Sequence, residues 1–435
     1  MPYPKILLTI LPPFWPKMPP LGLGYLESFL AKNDISSEIL DLNNLFYNLV
    51  SDKLKKEWLI SCNISLEDGI LSLMKDKYFK EYDLAIEKLL NYDVIGFSCF
   101  KSNIKSTLEI ANLLRSKKRD IKLVLGGPEI ARLFFKSNGK FSEDINQLAD
   151  FLVVGEGEKP FLNYIKGKNT QRISEFEQLD SLADLPYPKY NSLNLSDYSN
   201  NKAVNLLFSR GCIRRCNFCS ERLIYKGFRM RPVENIIEEI RYHRLNNNSN
   251  YFIFFDSLIN ADYDKLDKLC DGIIDNFGFI NWEAQLAIRS DMDESILKKM
   301  KKSGCYNLFV GLESGSDATL KRMNKGFTVR QAEEFFKRLK NAGLFFGISI
   351  IVGYPGESKT DFQESLDFVI KNKGIIPKIE QINPFTYYDG TPADKNSDYK
   401  SNSDSLERMD IFVNQIKQRG FKYTNAFLGN LIEKC

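Results

Sequence analysis

The feature that most constrains this fold is an alternation of short apolar strands with helical segments, which runs along the chain twice. In the first run, apolar stretches at residues 5–11, 36–42, 93–100, 121–125 and 150–154 alternate with helical patterns such as 21–32 and 105–117. The second run starts at residue 203 and contains six strand–helix units up to residue 385. Apolar strands separated by helices predict parallel sheets that are covered on both faces.

The two runs predict an α/β protein with two principal domains. We expect an N-terminal Rossmann-like parallel sheet over 1–167, a polar linker over 168–200, a partial (β/α)6 barrel over 201–390 and a short α-helical extension over 391–435. A full barrel of eight units takes about 250 residues, which is more than the second run offers. The pattern alone leaves a second open sheet as the alternative. Residues 44–90 are helical, charged and weakly periodic, and we interpret them as an insertion.

Composition limits the classes of function. A formal net charge of +4 over 435 residues gives no overall drive toward nucleic acid or a membrane surface. The longest apolar run, near 344–354, is too short to span a bilayer, which takes about 20 residues. The start of the chain has no signal-peptide layout, and most of the eight cysteines are scattered, which favours a reducing cytoplasm.

The sequence contains a single histidine, His243, in a charged helical stretch. A zinc or non-haem iron site with several histidines therefore cannot be built. A hydrolase with a Cys–His or Ser–His pair would have to use this residue. We interpret His243 as an ordinary surface residue.

Three cysteines, Cys212, Cys216 and Cys219, share one loop directly after the first strand of the second run. About 0.003 such clusters are expected by chance for this cysteine content. Three thiolates can hold a soft metal, whereas a structural zinc site needs a fourth ligand that is not found nearby. On a [4Fe–4S] cube they would leave one iron without a protein ligand. A zinc-binding loop and three unrelated thiols are the alternatives.

The spacing C-x3-C-x2-C, with Phe218 before the last cysteine, resembles the radical S-adenosylmethionine (SAM) superfamily. The stretches 209–212 (SRGC), 311–316 (GLESGS), 323–326 (MNKG) and 352–357 (VGYPGE) follow in the order found there. The resemblance covers about 200–390. It implies that Cys212, Cys216 and Cys219 hold a [4Fe–4S] cluster, that SAM fills the open iron site, and that one electron cleaves SAM to methionine and a 5′-deoxyadenosyl radical.

The same resemblance implies a set of SAM contacts. Phe218 would pack near the adenine, and Ile351 and Gly353 would line its other side. Glu313 would accept hydrogen bonds from the ribose hydroxyls, and Asp256 would reach the amino group of SAM. The alternatives are a helix N-cap for Asp256, a solvated loop carboxylate for Glu313 and plain turn chemistry for the glycine.

Residues 1–167 resemble the cobalamin-binding domain that precedes the barrel in B12-dependent radical SAM enzymes, on the stretches 19–26 (PPLGLGYL), 39–43 (ILDLN), 126–129 (GGPE) and 154–158 (VGEGE). The D-x-H-x-x-G motif that supplies a cobalt ligand in other cobalamin proteins is absent, so a bound cobalamin would be base-off without a histidine ligand. The contact loops would be 19–22, 98–102, 126–129 and 155–158. The contact residues would be Pro20, Leu21, Gly22, Ser98, Ser102, Gly126, Gly127 and Glu156.

A domain that kept this fold but binds no corrinoid is the alternative reading of residues 1–167. A second iron–sulfur cluster in this part, as in methylthiotransferases, would need three more cysteines. Only Cys62 and Cys99 precede the linker, and they do not form such a set.

The resemblance implies a cobalamin-dependent radical SAM enzyme that methylates an unactivated carbon through methylcobalamin. A cyclase or oxidoreductase of the BchE-like type without methyl transfer, and a non-catalytic corrinoid or Fe–S binding protein, are the alternatives. The expected partners are a small-molecule or peptide substrate and a flavodoxin- or ferredoxin-type electron donor in the cytoplasm. We expect no nucleic acid and no membrane span. Tyr387 and Tyr388, after the last strand, could contact substrate, with a core role as the alternative.

Overall fold

The computed structural model describes residues 3–64, 69–169, 171–200, 202–395 and 404–423. Two compact units account for the chain. The first contains residues 1–201 and 223–226, and the second contains residues 202–222 and 227–435.

The first unit is built on a parallel sheet of six strands. They are β1 (Ile6–Ile10), β2 (Ser37–Asp41), β3 (Val94–Ser98), β4 (Lys122–Gly126), β5 (Phe151–Val154) and β6 (Ile173–Glu175). Their order is β2-β1-β3-β4-β5-β6. The direction in which strands are added reverses between β1 and β3. In doubly wound sheets this switch point opens a crevice at the carboxyl ends of the strands.

Helices cover both faces of this sheet. They are α1 (Leu21–Lys32), α2 (Leu42–Leu49), α3 (Asp52–Ile64), α4 (Ile70–Lys77), α5 (Phe79–Leu90), α6 (Ile104–Lys117), α7 (Pro128–Lys136), α8 (Glu143–Leu148) and α9 (Glu158–Ile165). Leu7 and Ile95 belong to one apolar core, and Leu8 and Val94 to another. Since neighbouring residues of a strand point to opposite faces, the sheet is buried on both sides, as its apolar strands predict.

The interpreted insertion forms α2 to α5 and packs against the core of this unit. Phe46, Trp58, Met74 and Ile86 are all buried there. Although the apolar residues of this stretch show only a weak period, each of its four helices places an apolar side chain in the core.

Residues 168–200 differ from a plain linker. They contribute β6 to the edge of the sheet, and they bury Leu182, Leu185, Tyr190 and Tyr198. Tyr190 packs so closely on α1 that a Cβ at Gly24 would lie 2.4 Å from its ring. The sequence did not indicate β6, because three residues are too few to show the alternation of apolar and polar side chains that is typical of a strand.

The second unit contains a parallel sheet of six strands and a short antiparallel ribbon. The strands are β7 (Ala203–Leu206), β8 (Ser209–Arg210), β9 (Arg229–Met230), β10 (Tyr251–Phe254), β11 (Asn281–Leu286), β12 (Cys305–Glu313), β13 (Phe346–Val352) and β14 (Lys378–Pro384). The order of the large sheet is β14-β13-β12-β11-β10-β7, and β8 pairs with β9. The six parallel strands confirm the α/β class and the predicted number of barrel strands.

The helices of the second unit are α10 (Glu221–Ile224), which crosses into the first unit, α11 (Val233–Asn246), α12 (Tyr263–Phe277), α13 (Glu294–Lys302), α14 (Asp317–Arg322), α15 (Val329–Asn341), α16 (Lys359–Lys371), α17 (Pro392–Lys395) and α18 (Ser405–Gln418). Thr328 and Ser358 begin α15 and α16 with capping boxes, in which the cap hydroxyl and a side chain three residues later satisfy free backbone N–H groups.

One apolar core joins the strands of the second unit to these helices, with Phe252, Trp282, Val310, Ile348 and Ile382 among its members. The alternate positions of the strands are polar at several places, including Asn205, Glu283 and Ser349. A sheet with one apolar face against helices and one polar face suits a barrel strand that lines an interior.

The predicted C-terminal extension, 391–435, is helical in its described part, where α18 packs on β13 and β14. Residues 396–403 and 424–435 of that extension lie outside the described residues. Among the helices described, none combines the length and apolarity needed to cross a membrane.

Candidate active site

The three cysteines lie on a loop that the β8–β9 ribbon closes at its base. Ser209 pairs with Met230 and Arg210 pairs with Arg229, so the two ends of the loop lie side by side. Gly211 has a φ of 82°, and a Cβ there would lie 2.0 Å from the carbonyl oxygen of Gly227. Only glycine fits this close approach of two backbone segments.

Asn217, between the second and third cysteines, fixes the loop to the end of α14. Its backbone N–H donates to the carbonyl of Met323 at 2.9 Å, and its side-chain amide donates to the carbonyl of Arg322 at 2.8 Å. In return, the amide of Asn324 donates to the carbonyl of Arg215 at 2.8 Å. These three hydrogen bonds fix the conformation of the loop against α14 and the turn after it.

The three thiols are half-buried. Burial raises the pKa of Cys212 and of Cys216, and it raises the pKa of Cys219 to about 11. The ammonium group of Lys325 opposes this effect at Cys216. No group of three His, Cys, Asp or Glu side chains in the described ranges could hold a single metal ion. A cube of four irons is a different case, because its iron atoms are separate and each thiolate binds its own.

Phe218 extends from the cysteine loop toward the end of β13. Its ring meets Tyr354 edge-on, with 6.3 Å between the ring centres, and the Nζ of Lys325 lies 5.9 Å from its ring centre. Tyr354 is fully buried and packs against Phe385, which in turn contacts Tyr387. Tyr388 is 37% exposed. The aromatic residues after β14 are thus linked through one buried ring to the cysteine loop.

Glu313 ends β12 in a backbone conformation that is rare for a residue with a side chain. Its φ is 72°, and the pairing of β12 with β13 shifts register at this point. The carboxylate accepts a hydrogen bond from Ser349 at 2.8 Å and one from Lys325 at 3.3 Å. It is 8% exposed, so it is not the solvated loop carboxylate that was the alternative. Strain of this kind persists where the surrounding structure enforces it.

Asp256 follows β10 and is 1% exposed. Its carboxylate accepts hydrogen bonds from the Phe208 N–H at 3.1 Å and from the Ser209 hydroxyl. Burial raises its pKa to about 7, despite these two bonds. Asp256 is not the helix N-cap that was considered, since Asp262 caps α12. Both of its oxygens instead fix the backbone that leads into the cysteine loop.

Ile351 and Gly353 lie at the carboxyl end of β13. Ile351 is partly exposed. Gly353 has a φ of 73°, and a Cβ there would lie 2.4 Å from Ser405 of α18. Its N–H donates to Glu357 at 2.8 Å. The glycine is therefore required by packing and backbone conformation, and the predicted adenine contact of both residues stays a prediction.

The predicted cobalamin residues all lie at the carboxyl edge of the first unit's sheet. Pro20 precedes α1, and Leu21 and Gly22 begin it. Ser98 ends β3 and Ser102 follows it, Gly126 ends β4 and Gly127 follows it, and Glu156 follows β5. The side chains of Ser102 and Glu156 form hydrogen bonds inside the unit. The hydroxyl of Ser102 donates to the carbonyl of Pro13 at 2.7 Å, and Glu156 accepts from the N–H of Leu179 at 3.3 Å.

The sequence interpretation missed Lys325 and Glu221. The 323–326 stretch (MNKG) was the available signal for Lys325. Glu221, two residues after the last cysteine, is hydrogen-bonded by Ser257, and burial raises its pKa. The surface position expected for His243 was wrong. It is fully buried on the inner side of α11, where its Nδ1 lies 2.7 Å from the amide nitrogen of Asn247.

Residues 206–369 match the family described as the radical SAM superfamily. The cysteine loop, the six parallel strands and this match identify the second unit as a radical SAM domain. The resemblance noted in the sequence is thereby confirmed.

An uncharacterised methyltransferase of Pyrococcus horikoshii, PH0819, is 24% identical over 381 residues, which cover 81% of this chain and 73% of that protein. The cobalamin-dependent SAM radical enzyme OxsB, solved with aqua-cobalamin and SAM bound, has a TM-score of 0.67 at 16% identity and is matched over 98% of this chain. The present chain spans only 56% of OxsB. The radical SAM methyltransferase TsrM from Kitasatospora setae, solved with cobalamin and a [4Fe–4S] cluster, has a TM-score of 0.68 at 16% identity, over 91% of this chain and 77% of TsrM. These two structures share the fold of both units.

Proposed function

We propose that this chain is a cobalamin-dependent radical SAM methyltransferase that methylates an unactivated carbon of a small-molecule or peptide substrate. The observation that carries the proposal is the loop of Cys212, Cys216 and Cys219, which is held in place at the carboxyl edge of a six-stranded parallel half-barrel. The first unit is a doubly wound sheet, and OxsB and TsrM, which share the fold of this chain, were both solved with cobalamin bound.

The residues of the loop fit a [4Fe–4S] cluster. Three thiols in one loop suit a cube with one open iron. Burial keeps these thiols protonated in the absence of metal, so cluster assembly has to release three protons. Lys325 lies beside Cys216 and supplies positive charge close to the thiolates that would form.

The residues around the loop fit SAM. Glu313 offers to the ribose hydroxyls a carboxylate that Ser349 and Lys325 hold in place. Phe218 offers a ring face to the adenine, with Ile351 and Gly353 on the next strand. Asp256 acts from one layer further out, because it holds the backbone at Phe208 and Ser209. Its direct contact with the amino group of SAM stays a prediction.

When bound, the cluster, SAM and cobalamin would together supply the electron, the 5′-deoxyadenosyl radical and the methyl group. The chain's own residues would bind and orient these groups. The buried aromatic contact of Phe218 with Tyr354 would exclude water on one side of the loop. The electron would come from a flavodoxin- or ferredoxin-type protein.

The test is anaerobic purification, reconstitution with iron and sulfide, and addition of a reductant, SAM and hydroxocobalamin. We expect about four irons per chain, retention of about one cobalamin through desalting, and formation of 5′-deoxyadenosine. Cys216→Ala should lose the iron and the cleavage of SAM. Cys270→Ala is the matched control, because Cys270 is buried in α12 and lies outside the cysteine loop.

The outcomes separate the parts of the proposal. Full iron content in Cys216→Ala would contradict the cluster assignment. Cleavage of SAM without cobalamin retention would refute the methyltransferase and leave a radical SAM enzyme of another kind. Retention of cobalamin together with cleavage, but with no methyl transfer to any accepted substrate, would favour the cyclase or oxidoreductase alternative.

A further inference from the structure

Three aromatic side chains lie at the carboxyl edge of the first unit's sheet, and none of them is among the contact residues that the resemblance to cobalamin-binding domains implied, although Phe100 lies in the implied loop 98–102. Phe14 and Phe100 lie with their ring centres 4.4 Å apart and their planes inclined by 37°. Trp15 follows Phe14 directly, with Lys17 Nζ 5.5 Å from its ring centre. All three rings are only partly buried. We call Phe14, Trp15 and Phe100 the aromatic platform.

The aromatic platform lies at the topological switch point of the sheet. Phe14 and Trp15 belong to the loop after β1, and Phe100 belongs to the loop after β3. The strand order reverses between β1 and β3. Ligands of doubly wound sheets bind in the crevice at this point, so the platform occupies the place where a ligand is expected on topological grounds alone.

A cage of buried polar side chains fixes the loop that carries Phe14 and Trp15. The Phe14 N–H donates to the side-chain oxygen of Asn43 at 2.8 Å. Three further side chains donate to carbonyls of the same loop: Asn44 to Pro16 at 2.9 Å, Ser102 to Pro13 at 2.7 Å and Asn103 to Leu11 at 3.1 Å. The four side chains of the cage are all at most 6% exposed.

Asn103 also fixes the third ring, because its side-chain oxygen accepts from the Phe100 N–H at 2.7 Å. Two loops from different strands are therefore held by one set of buried amides and a hydroxyl. Because these loops are already constrained, they lose little conformational entropy when a ligand binds to the partly exposed rings.

Glycines lie in two of the neighbouring loops at the same edge of the sheet. Gly127, directly after β4, has a φ of 101° and packs on the backbone of Cys99. A Cβ on Gly127 would lie 2.7 Å from the carbonyl oxygen of Cys99. At the start of α1, no atom lies within 4 Å of a Cβ built on Gly22. The platform itself is apolar and flat, which suits a large ring system more than a compact charged ligand.

We propose that the aromatic platform is the surface that contacts the corrin ring of cobalamin, by packing and not by coordination. Phenylalanine and tryptophan offer no ligand to cobalt, and the one histidine of the sequence, His243, belongs to the second unit. This proposal rests on the proposed function, since it assigns residues to the cobalamin that the function requires.

The experiment is equilibrium binding of hydroxocobalamin to the full-length, cluster-reconstituted chain, measured by dialysis and absorbance. The test variant is Phe14→Leu combined with Phe100→Leu. It keeps the apolar contacts of both side chains with the core and removes the two rings. We expect its Kd for hydroxocobalamin to rise about tenfold or more, since the loss of two ring contacts together has an effect of that order.

Two controls accompany the test variant. Phe79→Leu changes a phenylalanine of α5 that is 55% exposed, and its Kd should stay within about twofold of the unchanged chain. Iron content and SAM cleavage of the double variant should equal those of the unchanged chain, because the cysteine loop belongs to the second unit. Circular dichroism checks that the first unit is folded.

Two results would overturn the proposal, and they are distinguishable. A folded double variant with an unchanged Kd refutes the platform alone and leaves the proposed function intact. An unchanged chain that binds no hydroxocobalamin, although it holds its cluster and cleaves SAM, refutes both the platform and the methyltransferase function.

Discussion

Asp256 should make the second unit less stable as the pH rises. Its carboxyl group is buried, and burial raises its pKa from 3.8 to about 7 in the folded chain. The unfolded chain releases this proton near pH 3.8, so between the two values the unfolded state binds fewer protons than the folded state. The contribution of the neutral carboxyl is complete below about pH 4 and is lost progressively as the pH rises to about 7.

The magnitude follows from the separation of the two pKa values. Each pH unit in the window is worth about 1.4 kcal/mol, so the whole effect is about 4 kcal/mol, of which about 3 kcal/mol falls between pH 5 and pH 8. Asp256→Asn cannot ionise. The difference in unfolding free energy between the unchanged chain and this variant should therefore shift by that amount, in favour of the variant, as the pH rises.

The assay is urea unfolding of the cluster-free protein, followed by tryptophan fluorescence. The sequence has three tryptophans, and Trp282 lies fully buried in the second unit. Replacing Trp15 and Trp58 by phenylalanine leaves Trp282 as the reporter of that unit. Measurements at pH 5, 6, 7 and 8 on both chains give the difference curve, in which the titration of all other groups cancels.

A flat difference curve between pH 5 and pH 8 would refute the reasoning. Ser209→Ala gives an independent check. The Ser209 hydroxyl donates to Asp256 and so favours the ionised carboxylate. Without it the pKa of Asp256 should rise further, and the decline in stability should extend above pH 7.

Two more pairs of substitutions test the residues at and next to the base of the cysteine loop. Gly211→Ala should lower stability by roughly 3 kcal/mol in urea unfolding and reduce iron incorporation, since its Cβ would meet a backbone oxygen, whereas Gly227→Ala, with a φ of 78° and open space around its Cβ, should cost only about 1 kcal/mol. Arg231 and Glu239 form a fully buried ion pair, so Arg231→Met alone should cost about 3–5 kcal/mol by the same assay. Adding Glu239→Leu should recover part of that loss, and a fully additive double variant would contradict the pairing.

The strands of the fold were predictable because their signal is local. The six strand–helix units expected between residues 203 and 385 correspond to β7 and β10 to β14 and the helices that follow them. What the sequence missed depends on contacts between distant residues. The β8–β9 ribbon has two residues in each strand, and the inward position of His243 is fixed by the packing of α11. Such contacts produce no periodic pattern of apolar residues from which they could be predicted.

The site shows the same division between local and distant information. The cysteine spacing and Glu313 were visible as motifs, because their chemistry lies in residue type and order. The bond from Asp256 to Ser209, 47 residues away along the chain, was not visible. The sequence resemblance implied a SAM contact for Asp256, with a helix N-cap as the alternative. The structure instead uses it to join the ends of two neighbouring strands, β7 and β10.

Glu313 and Lys325 show why a motif alone understates the site. A positive φ at Glu313 costs about 1–2 kcal/mol and has to be enforced by its neighbours. Its carboxylate folds over Gly311, where a Cβ would lie 2.6 Å from the oxygen that Lys325 contacts. The glycine and the lysine therefore fix the orientation of the carboxylate, and the same lysine lies over Phe218 and beside Cys216. Because Lys325 interacts with all of these groups, side chains of the protein itself fix the charge of the site, which is the condition for charges to act without reorganisation.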